Sequence, residues 1–66
     1  MKLLLLSTDN QDHTITVAVD GVKYEYWIQG NFVGVEQQVR RLLRVDAPGK
    51  IINLLKASSS RCDRLA

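Results

Sequence analysis

The stretch Thr14-Ile15-Thr16-Val17-Ala18-Val19-Asp20-Gly21-Val22-Lys23-Tyr24-Glu25-Tyr26-Trp27-Ile28 decides the fold of this chain. A two-residue type I′ turn needs positive φ at both central positions, and Asp20-Gly21 supplies residue types that tolerate it. On either side, apolar and polar residues alternate with the period of two that a half-buried strand requires. Setting Val19 opposite Val22 puts Val17 opposite Tyr24 and Ile15 opposite Tyr26. One face then collects Ile15, Val17, Val19, Val22, Tyr24, Tyr26 and Ile28, and the other Thr14, Thr16, Ala18, Lys23, Glu25 and Trp27. A slip of one residue would turn the apolar set to solvent, so turn and pattern specify the same register independently.

Towards the N-terminus, Leu3-Leu4-Leu5-Leu6 is too short for a helix and runs into Thr8-Asp9-Asn10-Gln11-Asp12, a cluster of turn formers. Residues 2–7 read as a first strand, giving a three-stranded antiparallel meander with residues 14–20 in the middle. Towards the C-terminus the period changes. Phe32, Val35, Val39, Leu42 and Leu43 recur at spacings of three and four, the mark of one helix face, with Asn31 placed as an N-cap. Glu36 and Arg40 form a favourable i,i+4 pair on that helix. Asp46-Ala47-Pro48 breaks it and opens a second, shorter helix with Ile51, Ile52 and Leu55 as its apolar stripe. The expected fold class is α+β, a three-stranded meander followed by two helices packed on one face (β-β-β-α-α). Residues 1–57 form one domain in this reading, and residues 58–66, without periodicity, a flexible tail.

At 66 residues there is room for one modest core, and a chain this short needs staples or a partner to reinforce it. Cys62 is the only cysteine and His13 the only histidine, so neither a disulfide nor a tetrahedral zinc site is available within one copy, and no cofactor is implied. The apolar run after Met1-Lys2 stops at Ser7, short of a signal peptide's hydrophobic region, and no stretch approaches the length of a membrane span. The expected compartment is the cytoplasm, with no membrane partner.

No catalytic constellation emerges. Asp12-His13 is an acid–base pair with no nucleophile beside it, Cys62 falls in the tail, and Ala47-Pro48-Gly49-Lys50 lacks the spacing of a phosphate-cradling loop. Charge is more telling. Net charge is only +2, yet residues 1–39 carry two basic against five acidic side chains, and residues 40–66 carry seven basic against two acidic. Arg40, Arg41 and Arg44 fall within about 120° of one side of the first helix, and Lys50 and Lys56 could extend that surface. Guanidinium groups in such a cluster suit phosphate. The competing interpretation is a solvated face with cations favoured at a helix C-terminus.

A second candidate surface is apolar. Leu3, Leu4, Leu5 and Leu6 put leucine on both faces of an edge strand, and Trp27 points away from the helix-covered face. Uncovered, such an edge invites pairing, and two copies joined there would form a homodimer with one six-stranded sheet. The alternative is that the tail or the loop between Thr8 and His13 covers these residues.

Asp20-Gly21, the Tyr24-Glu25-Tyr26 triplet and the later Gly49-Lys50-Ile51-Ile52-Asn53 together resemble the KTSC domain, a small module found alone and fused to some bacterial lysyl-tRNA synthetases. That family reads as a hairpin ending in Tyr-x-Tyr, a helix, then Ser-x-Gly and an aromatic-Asn pair. Tyr24 and Tyr26 match the first element, and Gly49 and Asn53 the second. Ile28-Gln29-Gly30-Asn31 replaces the family's Val-Pro, the helix is several residues longer, Ala47 stands for the serine and Ile52 for the aromatic. The resemblance spans about half the chain and implies an RNA-binding or translation-linked role without established chemistry. The function expected from the sequence is a non-enzymatic, self-associating binding module that meets nucleic acid, RNA before DNA, through its basic helical side. The alternative is a protein–protein interaction adaptor, such as a small phage or mobile-element product acting on a host protein.

Overall fold

The structure is a computed structural model, and it describes residues 1–65. Three strands, β1 (Leu3–Asp9), β2 (Thr14–Val19) and β3 (Val22–Ile28), are followed by α1 (Phe32–Arg44), α2 (Pro48–Ser58) and a further strand, β4 (Ser59–Arg64). The sheet is antiparallel throughout and its order is β1-β2-β3-β4. The α+β class and the helices hold, but the sheet has four strands where the sequence pattern predicts three. The segment read as a tail pairs with β3, with Tyr26 opposite Cys62 and Trp27 opposite Arg61. Its strand character comes from the unpaired edge that β3 offers after the meander forms, not from its own residues, which apart from Cys62 are Ser, Arg and Asp.

The central hairpin follows from its turn. Asp20 and Gly21 have φ of 49° and 86°, the left-handed pair that type I′ demands, and the register runs Val19–Val22, Val17–Tyr24, Ile15–Tyr26. Ile15, Val17, Tyr26 and Ile28 are accordingly buried beneath the helices. In β1 the register shifts between Leu5 and Ser7, so Leu6 is the extra residue of a β-bulge. The bulge resets the alternation. Leu3 and Leu5 lie on the helix-covered face, as does Thr8 beyond the bulge, while Leu4 and Ser7 lie on the open face.

Phe32 and Val39 of α1 and Ile51 and Leu55 of α2 close the core from above, with Val35, Leu42, Leu43 and Ile52 packed against them. Asn31 caps α1, its Oδ1 accepting from the Gly34 N–H at 3.0 Å. Pro48 occupies the start of α2, where its missing N–H costs nothing. α2 lies over β3 and β4 and α1 packs on α2, leaving the other face of the sheet open.

Candidate anion-binding groove and sheet edge

The apolar stripe of α1 fixes where its charges go. With Val35, Val39, Leu42 and Leu43 turned to the core, Gln37, Arg40, Arg41 and Arg44 are left outside and together line an open groove of about 240 Å³. Arg41 and Arg44 lie in the last turn of the helix. Glu36 pairs with Arg40 at 3.4 Å across one turn, as their spacing predicts. Such an exposed pair is worth only about 0.3–0.5 kcal/mol, so a phosphate can displace it. Arg41 and Arg44 have no carboxylate partner among the described residues. Lys50 and Lys56, grouped with these arginines from the sequence, are exposed on α2 and do not line the groove.

The apolar candidates are divided by the sheet. Leu3 is buried and Leu5 packs against the core, whereas Leu4 and Leu6 are 51% and 44% exposed. Trp27 does not join them. It lies two strands away from Leu4 and four residues along β3 from Lys23, which faces Leu4's partner Ala18. Its indole Nε1–H donates to Asp63 Oδ2 at 3.1 Å, and the Arg61 guanidinium lies 5.0 Å from its ring centroid. Arg61 in turn donates to both Asp63 oxygens and closes an ion pair at 2.8 Å. These bonds hold the Asp63 carboxyl below the usual carboxylate range, Arg61 being the larger cause, and raise the Arg61 guanidinium. Arg61 and Asp63 escaped the sequence reading. The signal that could have found them is their i,i+2 spacing, which puts both on one face if the segment is a strand.

The remaining chemistry-bearing side chains are held structurally. His13, at φ 58° in the turn before β2, stacks on Phe32 with ring centroids 5.2 Å apart. Burial pushes the Tyr26 phenol up to about 12, and the Cys62 side chain opposite it on β4 adds to the rise. Tyr24 and Tyr26 therefore serve the core, whereas Gly49 and Asn53 are exposed on α2. An open hollow of about 490 Å³ lies where Gly21, Val22 and Lys23 meet Arg64 and Leu65. Among the described residues no helix is long and apolar enough to cross a membrane. No family model, curated protein or solved structure matches the chain.

Proposed function

We propose that this chain is a non-enzymatic binding module that self-associates along β1 and holds a nucleic-acid phosphate backbone, RNA before DNA, in the groove of α1. The observation that supports it is the convergence of Arg40, Arg41 and Arg44 on one groove, with a single weak ion pair to displace. The C-terminus of α1 opposes an anion, but its dipole amounts to about half a charge, against three full positive charges. Attraction therefore dominates.

Electrophoretic mobility shift with RNA and with DNA at 50 and 200 mM salt tests the reading. Three phosphate contacts predict a salt slope of about −2 on a single strand and about −2.7 on a duplex, or roughly a 20-fold to 40-fold loss of affinity across that range. Replacing Arg40, Arg41 and Arg44 together with Gln abolishes the shift while circular dichroism is unchanged, and Glu36→Gln strengthens it. Absence of any shift at low salt, or one untouched by the triple replacement, overturns the proposal. The exposed Leu4 and Leu6 favour a second reading, a protein-interaction adaptor, which gains if no nucleic acid binds.

A further inference from the structure

Main-chain geometry says how β1 can be used. The Asp20 N–H donates to the Lys2 carbonyl at 2.8 Å, so alternation along the strand turns the N–H and C=O groups of Leu3 and Leu5 away from β2, towards solvent. The bulge at Leu6 ends this regular stretch. The opposite edge of the sheet carries Arg61, Asp63 and Arg64 on β4, charges that resist strand addition. Among the described residues, only the β1 edge presents uncharged, outward-directed main chain on both sides of an exposed apolar residue, Leu4.

That short edge is complementary to itself. Antiparallel pairing with a second copy sets Leu3 opposite the partner's Leu5 and Leu4 opposite the partner's Leu4, on a two-fold axis perpendicular to the sheet. The outward amides and carbonyls are then satisfied, and the half-exposed Leu4 side chain is covered by its counterpart. The four-stranded sheet becomes one of eight strands, not the six that a bare meander would give.

A perpendicular axis also puts both helical layers on the same side. The C-terminal end of α1 reaches β1, since Leu43 and Leu3 line one small hollow of about 70 Å³, so the last turn, which carries Arg41 and Arg44 on its outer side, lies near the shared edge in both copies. At about 4.8 Å per strand, copy centres lie roughly 19 Å apart. We infer that pairing of two copies about Leu4 joins their arginine grooves into one composite face for an extended phosphodiester backbone that a single groove cannot hold. The inference rests on the anion-binding reading above. The two basic grooves repel one another, and a bridging polyanion relieves that repulsion, so nucleic acid and dimerisation strengthen each other reciprocally.

The test compares wild type with Leu4→Lys, binding a 12-base-pair duplex, as RNA and as DNA, and a dinucleotide carrying one phosphodiester. The added lysine would by itself favour the duplex, so a loss of affinity reports the missing second groove. Wild type is expected to bind duplex at least tenfold more tightly, with about twice the salt slope, and both proteins to bind the dinucleotide equally. Duplex binding equal in affinity and slope overturns the composite face while leaving the single-groove reading intact. No duplex binding by wild type at low salt overturns both. The register has its own check. In a Cys62→Ser background, Leu4→Cys is expected to cross-link to its copy on mild oxidation, because a non-hydrogen-bonded antiparallel pair brings Cα atoms to about 4.5 Å, within disulfide range. Val33→Cys, exposed on α1, should not cross-link. Failure of the Leu4→Cys cross-link overturns pairing about Leu4, and it decides the matter alone if Leu4→Lys does not fold.

Discussion

At Gly34 a single missing methyl group keeps the cap of α1 in place. A Cβ built there would lie 2.5 Å from Asn31 Nδ2 and 2.9 Å from Cγ, so alanine must drive the capping side chain off the Gly34 N–H. Glycine to alanine inside a helix ordinarily gains about 1 kcal/mol, and loss of an Asn cap costs about the same. Gly34→Ala is therefore expected to leave stability near that of wild type. In an Asn31→Ala background, where nothing is displaced, it should stabilise by about 1 kcal/mol. Urea denaturation of the four proteins measures the difference as a coupling energy. A coupling near zero would show that alanine at position 34 leaves the Asn31 cap undisturbed, and an Asn31→Ala variant as stable as wild type would show that the cap contributes nothing. The cap itself was legible, because Asn31 precedes the first residue of the apolar stripe. The left-handed Asp20-Gly21 pair was equally legible, since the turn type dictates it. The left-handed backbone of Asp46, which closes α1 with the Asp46 and Ala47 N–H groups donating to the Leu43 and Leu42 carbonyls, and that of His13 were not, because neither position carries the glycine that usually signals it.

Among the elements, β4 depends most on its surroundings. Its polar sequence gives it little strand preference, and its side chains are anchored by Trp27, Arg61 and Asp63. Asp63 is held ionised by Arg61 first and by Trp27 second, so its carboxyl is depressed in the folded chain. A depressed carboxyl contributes stability that is present above its unfolded value and lost as pH falls through its folded one. Acidification below the ordinary carboxylate range should loosen the anchor, seen as a change in Trp27 fluorescence. Asp63→Asn should flatten that acid response and weaken the Arg61 contact at neutral pH. An acid transition unchanged in the variant would assign it to other carboxylates. The meander and both helices were readable because each carries its own period and punctuation. β4 has neither, and only the free edge of β3 makes it a strand.

Across the whole molecule, a small core leaves stability sensitive to single buried groups, and Tyr26 is one of them. Its phenol is raised from 10.0 to about 12, chiefly by burial. Above pH 10 the unfolded chain gives up this proton while the folded chain keeps it, so stability is fully present below pH 10 and falls as pH rises towards 12. The loss amounts to about 2–3 kcal/mol at most. Tyr26→Phe should retain most stability at pH 7 and show a shallower decline in urea denaturation between pH 9 and 11.5. An identical decline would mean that the phenol ionises freely in the fold. The same scale separates what sequence and structure each decided. Turn chemistry and hydrophobic period are local, and by themselves they determined the hairpin register, the helix positions and the outward placement of Arg40, Arg41 and Arg44. Tertiary structure alone decided that Lys50 and Lys56 stand apart from that arginine face, that Trp27 is held by Arg61 and Asp63, and that Leu3 is buried while Leu4 stays open. Each of these depends on which element lies beside which, and adjacency is a non-local choice that no residue encodes on its own.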